Sequence, residues 1–285
     1  MVRLVVLIGA PTPPLIYFVN TINKYHKIDL LIVERPKHRI HSRSKRKYKL
    51  RSIFSITKIL KYLLLKIEKK KTIAERQSRN RKNNLYYKKI YGDDFIAIDN
   101  TIECVEVADI NSKKVEESIK KINPDLMLDH GTSLVKSNII GLSEMTLNLH
   151  WGLSPYYRGV DCTKRALFNW DINNIGVTVH KLSNKIDGGE IFGQARVEVA
   201  PQDTVDSINA RETYLGVEII KRYIDMVKSN SAINFHKQVL EDGFLFKGIH
   251  RNSSIDAFIG SLDEDKLSKM IQHPSRKSMN IIEIL

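Results

Sequence analysis

The chain has 285 residues, 42% of them apolar, enough for one sizeable core with a small addition. Its two cysteines, Cys104 and Cys162, offer neither a disulfide framework nor metal-ligand spacing, so a reducing, cytoplasmic setting is the default and no metal is expected. Between Arg35 and Lys89 stand 21 Lys and Arg against only Glu68 and Glu75, a segment charge of +19 in a chain whose total is +14, so the remainder is mildly acidic at −5.

Val2–Ile8 reads as a strand, Pro13–His26 as a helix and Ile28–Val33 as a second strand. The opening apolar run, followed by Gly-Ala-Pro-Thr-Pro-Pro, is too short for a signal peptide or a membrane span and reads as a buried strand and loop. Lys114–Ile122 is expected to be helical and to stop at Asn123-Pro124, since proline restricts the residue before it and cannot continue a helix. Leu126–Leu128 makes a short buried strand that delivers Asp129-His130-Gly131-Thr132-Ser133 to its carboxyl end. Met145–Leu149 and Ile175–Val179 are strand-like runs that lead directly into residues able to donate, accept and relay protons. Val205–Ser229 is a long helix. Beyond it, 231–285, with Gly243-Phe-Leu-Phe-Lys and a polar, helical-looking tail, reads as a small C-terminal appendage to a main domain of 1–230.

This order predicts an α/β, Rossmann-like fold: a largely parallel sheet flanked by helices, with ligands gathered beyond the strand ends. A basic helical insert interrupts it at about 35–92. There Ile53, Ile56, Leu60, Leu63, Leu64 and Ile67 fall near helical spacing with Lys58, Lys61 and Lys66 between them, the pattern of a basic amphipathic helix. Three readings of the insert stay open: a hairpin packed on the body with solvated lysines, a membrane-surface contact, or an RNA contact through phosphates. Neither Gly-x-Gly-x-x-Gly nor a P-loop pattern occurs, which argues against a dinucleotide or ATP site.

The sharpest signal is Asn148-Leu149-His150, followed by Gly152-Leu-Ser-Pro-Tyr-Tyr-Arg-Gly159 and then by Gly176-Val-Thr-Val-His180 with Asp187-Gly188-Gly189. In order and spacing these resemble the 10-formyltetrahydrofolate-dependent formyltransferase family, most strongly over about residues 100 to 205. Family members commonly read His-Pro-Ser-Leu-Leu-Pro after the asparagine, where this chain has His150-Trp-Gly-Leu-Ser-Pro155. The resemblance implies transfer of a formyl group from 10-formyltetrahydrofolate to a primary amine, with Asn148, His150 and Asp187 as the catalytic trio.

The chemistry suits these residue types. Attack on the formyl carbon builds negative charge on its oxygen, which calls for an N–H donor and an acid facing it. Residues 148 and 150 of a strand share a face, so an amide and an imidazole can converge. Asp187 would hold the histidine's protonation state and, directly or through water, accept the proton leaving the amine. His180 reads instead as a structural hydrogen-bonder of its loop.

By the same resemblance the pteridine is held by main-chain groups of two loops, His130, Gly131, Thr132 and Ser133, and the stretch after Lys181 containing Leu182, Ser183 and Asn184. Gly9, Tyr156, Tyr157 and Arg158 are candidates for the amine side; Arg158 either binds phosphate or pins its loop through carbonyls. Trp151 and Trp170 read as packing residues. Overall size favours the amine of a nucleotide-linked amino sugar for surface polysaccharide biosynthesis, made in the cytoplasm and, if the insert docks, peripherally at the inner membrane face. A methionyl-tRNA formyltransferase-like enzyme is one alternative and a non-catalytic RNA- or membrane-docking module another. A homodimer is left open.

Overall fold

The structure, a computed structural model, describes residues 2–35, 78, 80–248 and 252–284. It divides into a body, 1–36 with 87–285, and a second unit, 37–86. The expected amphipathic stripe Ile53–Ile67, and with it most of the basic insert, lies outside the described residues.

The body begins with β1 (Leu4–Ile8), α1 (Pro13–Tyr25) and β2 (Leu30–Glu34), close to the expected boundaries. Both strands are buried along their whole length, as apolar strands are when helices cover both faces of a sheet. Pro13, in the first turn of α1, costs that helix nothing, because the N–H it lacks would have been unpaired there. A helix at 80–91, α2, returns the chain to β3 (Cys104–Val107), a four-residue, partly exposed strand that hydrophobic patterning does not reveal.

α3 (Lys113–Ile122) ends at Asn123, whose φ of 49° is the left-handed conformation that asparagine tolerates at a helix terminus. β4 (Leu126–His130), the short α4 (Ser137–Ile140) and β5 (Met145–Trp151) follow. Then come β6 (Tyr157–Gly159), α5 (Cys162–Phe168), β7 (Gly176–Lys181), β8 (Ile191–Arg196) and the 24-residue α6 (Val205–Lys228). The C-terminal segment adds β9 (Phe244–Phe246), α7 (Ser253–Gly260) and α8 (Glu264–Gln272).

Seven strands form one mixed sheet in the order β3-β2-β1-β4-β5-β7-β8. β3, β2, β1, β4 and β5 run parallel, while β7 is antiparallel to both β5 and β8. The chain winds outward from β1 to β3 and then returns to β4 on β1's other side. This reversal is a switch point, where the loops leaving two neighbouring strands diverge and leave a crevice at their carboxyl ends. Ile119, Ile139, Val5, Ile32 and Met127 pack together on one face of the sheet. On the other, Leu149 and Val177 lie against Gly216 of α6, where a side chain would strike the Leu149 methyl at 2.6 Å.

The C-terminal segment is stitched onto the sheet's far edge by His236–Ile191 and Gln194–Glu283 bridges, and its β9 pairs with β6 in a separate two-stranded sheet. Among the described residues, no helix is long and apolar enough to cross a membrane.

Candidate active site

β5 presents Thr146, Asn148 and His150 on the face opposite α6, with Asn148 and His150 both buried. Register puts Asp129 of β4 beside Asn148 on one side and His180 of β7 beside it on the other. Three strands thus carry a lateral row, Asp129–Asn148–His180, with His150 one pleat further along β5. The loop after β7 lays Asp187 over this row.

Asp187 has φ 44°, a left-handed conformation that aspartate tolerates better than most residues. Its carboxylate is fixed by the Gly159 N–H, which donates to Oδ2 at 2.7 Å. Gln238 Nε2 donates to the Asp187 carbonyl at 3.0 Å, so the C-terminal segment helps to hold the loop. The Asn148 amide donates to Asp187 Oδ1 at 3.4 Å and lies 3.2 Å from His180 Nε2. His180 Nδ1–H donates to the Lys181 carbonyl at 2.8 Å, so in the neutral ring Nε2 is a lone pair and must accept from Asn148. His180, read from sequence as a loop stabiliser, therefore orients the amide of this cluster. The signal was there in its place at the end of a strand beside Asn-x-His.

His150 Nε2 faces the Tyr157 carbonyl at 3.0 Å and Nδ1 faces Asp187 Oδ2 at 3.4 Å. With an acceptor at each nitrogen, only the imidazolium satisfies both contacts. Burial pushes the His150 pKa down and the neighbouring Asp187 charge offsets this only in part, so it stays below the usual histidine value. Burial also works against ionisation of Asp187, but His150, His180 and the Gly159 N–H together hold its carboxyl far below the usual carboxylate range. Asp187 is thus anionic beside an imidazole whose burial favours the neutral ring, and the imidazolium forms only when His150 gains a proton.

The loop under His150 explains the chain's departure from His-Pro-Ser. At Gly152 a β-carbon would meet His150 Nε2 at 2.6 Å and the Tyr157 carbonyl at 2.8 Å, so only glycine leaves room for the bond between them. Thr178 Oγ1 donates to the Gly152 carbonyl at 2.7 Å and accepts from the Ser154 N–H at 3.0 Å, fixing the loop to β7.

A cleft of about 630 Å³ opens over this cluster, at the switch point between β1 and β4. Asp129, Asn148, His150 and Asp187 line it, as do His130, Gly131, Thr132 and Ser133 of the loop after β4, and Leu182 and Ser183 of the loop after β7. Glu34, at the end of β2, secures the first loop by accepting from the Ser133 N–H at 2.6 Å and from its hydroxyl at 2.8 Å. Asn184 is exposed and does not line the cleft. The side chain of His130 turns to the other face, where Nδ1–H donates to the Leu149 carbonyl at 2.9 Å and the ring meets Phe18 and Trp151 edge-on. Burial drives its pKa down to about 3, so it is a neutral structural imidazole that offers the cleft its backbone.

None of the four residues expected on the amine side is among those that line the cleft. Tyr157 is 1% exposed, and its hydroxyl donates to Asp171 Oδ2 at 2.8 Å. Arg158 pins its loop, bonding the Pro155 carbonyl at 3.3 Å and the Leu240 carbonyl at 3.0 Å. The Tyr156 hydroxyl donates to the Asn280 carbonyl at 3.0 Å. Gly9 is required by space, since a β-carbon there would lie 2.1 Å from the Gly131 carbonyl oxygen. The cleft is instead walled by residues the sequence did not single out, among them Thr12, Asp161, Lys164, Lys185 and Asn209. Trp151 also lines it, although its indole N–H is spent on Thr213 Oγ1 at 3.0 Å. Among the described residues, no group of three His, Cys, Asp or Glu is arranged to hold a metal ion.

A family model described as formyl transferase matches residues 65–224, more than half of the chain, with every strand that carries this cluster and every strand of the large sheet except β1 and β2. The chain belongs to the formyl transferase family. A methionyl-tRNA formyltransferase from Thermotoga neapolitana is 27% identical over 145 residues, 50% of this chain and 46% of that protein. The bifunctional polymyxin resistance protein ArnA of Wigglesworthia glossinidia brevipalpis is 27% identical over 148 residues, 48% of this chain and 22% of that protein. The chain thus spans less than half the length of these curated relatives.

Among solved structures, an N-formyltransferase from Helicobacter canadensis, in complex with folinic acid and dTDP-3-aminofucose, superposes with a TM-score of 0.52 at 17% identity, covering 88% of this chain and 73% of that one. A protein from Mycobacterium tuberculosis described as a likely sugar N-formyltransferase gives 0.52 at 13% identity, covering 100% and 97%. At these identities the likeness is one of fold, and the fold is that of formyl transferases.

Proposed function

We propose that this chain transfers the formyl group of 10-formyltetrahydrofolate to a primary amine, most specifically that of a nucleotide-linked amino sugar used in surface polysaccharide assembly. The observation that carries the reaction is the convergence of Asn148, His150 and Asp187 on one cleft at the switch point. The His150 imidazole and the Asn148 amide N–H both face that space, where charge on a former carbonyl oxygen would develop. The Asn148 N–H reaches such an oxygen by giving up its long bond to Asp187. The cleft's size and its lining by residues 131–133, 182 and 183 suit a flat heterocycle carrying the formyl donor. The amine of the second substrate is the nucleophile, so no nucleophilic side chain is required.

The sugar reading is supported by the dTDP-3-aminofucose bound to the Helicobacter canadensis protein. The name of the Thermotoga neapolitana relative favours a second reading, formylation of a charged tRNA. The cytoplasm is the setting in either case. The deciding assay incubates the chain with 10-formyltetrahydrofolate and a panel of nucleotide-linked amino sugars, with initiator methionyl-tRNA alongside, and follows the products by mass. One added formyl group on a sugar supports the first reading and names the substrate; formyl transfer to the tRNA alone replaces it with the second. Asn148→Ala and His150→Ala should each lower kcat by about 10²-fold or more, the range for removing one donor of an oxyanion site, and Asp187→Ala should lower it by undoing the hold on both. Turnover unchanged by all three would sink the mechanism.

A further inference from the structure

Asp187 is poorly suited to take a proton. Both of its oxygens are engaged, Oδ2 by Gly159 and His150 and Oδ1 by Asn148, with His180 Nε2 at 3.6 Å, and its pKa is held far too low for a base that must work near neutrality. A second carboxyl stands in the same cluster. Asp129 lies beside Asn148 in register, on the same sheet face, is 6% exposed and lines the cleft. Its Oδ1 is 2.6 Å from the Thr132 hydroxyl, while Oδ2 has no hydrogen-bond partner among the described residues. A buried carboxyl that lines the cleft with one oxygen tethered and the other unbonded is placed to exchange a proton with whatever enters.

We propose that Asp129 is the proton acceptor for the attacking amine, a catalytic residue of this chain additional to Asn148, His150 and Asp187. The role rests on the formyl-transfer reading. An ammonium, R–NH3+, entering the cleft gives one proton to Asp129 Oδ2 and becomes R–NH2. The amine's lone pair forms the new C–N bond to the formyl carbon, and the carbonyl pair moves to oxygen opposite Asn148 and His150. As that pair returns, the bond from the formyl carbon to the donor nitrogen breaks. The donor nitrogen keeps the electron pair and takes the second amine proton, while Asp129 releases the first to solvent.

Titration fits this role. Burial, reinforced by the charges of Asp187 and Glu34, lifts the Asp129 pKa to about 7, against the opposing Thr132 bond and the opposing charge of His180. A base with that value is half ionised at neutral pH and strong enough to hold the proton it takes.

The test is the pH dependence of kcat/KM for Asp129→Asn and Thr132→Val beside the wild-type chain, with the amine found in the product screen. In the wild type the rate should climb with pH through an inflection near 7. Asp129→Asn, an isostere that keeps an acceptor for Thr132, should lower kcat by about 10²-fold, change either KM little, and abolish the inflection. Thr132→Val keeps the carboxyl but removes the hydroxyl bond that favours its anion, so its inflection should move to higher pH. This second variant also covers the case in which Asp129→Asn fails to fold. Residual activity of Asp129→Asn that keeps the wild-type inflection overturns the role, as does a Thr132→Val inflection that does not move. Absence of transfer to any amine by the wild-type chain overturns the formyl-transfer reading, and with it this role.

Discussion

At the scale of single residues, the cluster works because each polar group commits its partner. His180 spends Nδ1–H on the Lys181 carbonyl, so in its neutral form Nε2 accepts, which decides which end of the Asn148 amide turns inward. Replacing His180 by Ala should free that amide to flip and lower kcat by about 10-fold, less than loss of Asn148 itself, because the donor survives without its orientation. The check is kcat for His180→Ala against Asn148→Ala, with circular dichroism confirming the fold; equal losses would mean that His180 does more than orient. Asn148 and His150 were legible in the sequence because two polar residues two apart in an apolar strand must share a face. Tyr157 was misleading for a related reason, and Arg158, left between two readings, proves to be the one that pins its loop. A tyrosine and an arginine in a loop look alike whether they bind a ligand or, as here, satisfy Asp171 and backbone carbonyls.

Among the elements, the decisive contact is between the loops that leave β1 and β4. The Gly9 N–H donates to the His130 carbonyl at 3.2 Å, and no β-carbon fits between Gly9 and Gly131. Gly9→Ala should force the two loops apart, lower stability by about 1–3 kcal/mol as overpacking does, and raise KM for the formyl donor more than it lowers kcat. Thermal unfolding and steady-state kinetics on one preparation read both effects; an unchanged KM would show that the loop after β4 does not hold the donor. The alternation of strands and helices made the parallel half of the sheet legible, with ends displaced by only a residue or two. The reversal at β7 was not legible, since a period-two apolar run is the same in either strand direction. β3 was missed because a short, half-exposed strand carries almost no periodic signal.

For the molecule as a whole, the cost of buried carboxyls should show in the pH dependence of stability. Glu212 of α6 is fully buried; Oε2 accepts from the Thr163 hydroxyl at 2.9 Å and Oε1 has no partner among the described residues. Burial pushes its pKa up to about 8, against the Thr163 bond and the Arg211 charge. Between the ordinary glutamate range and pH 8 the unfolded chain has lost this proton while the folded chain keeps it. The folded state then binds more protons, so stability falls as pH rises across that window. Asp129, lifted to about 7, acts in the same direction. The wild-type Tm should therefore drop between pH 5.5 and 8.5. Glu212→Gln keeps an acceptor for Thr163 and cannot ionise, so it should match the wild type at pH 5.5 and exceed it at pH 8.5 by a few degrees, each 1 kcal/mol being worth about 2–4 °C in a chain near this size. Adding Asp129→Asn should flatten the curve further. Parallel Tm curves for wild type and Glu212→Gln would show that the carboxyl is ionised in place, and would direct attention to a cation near Oε1.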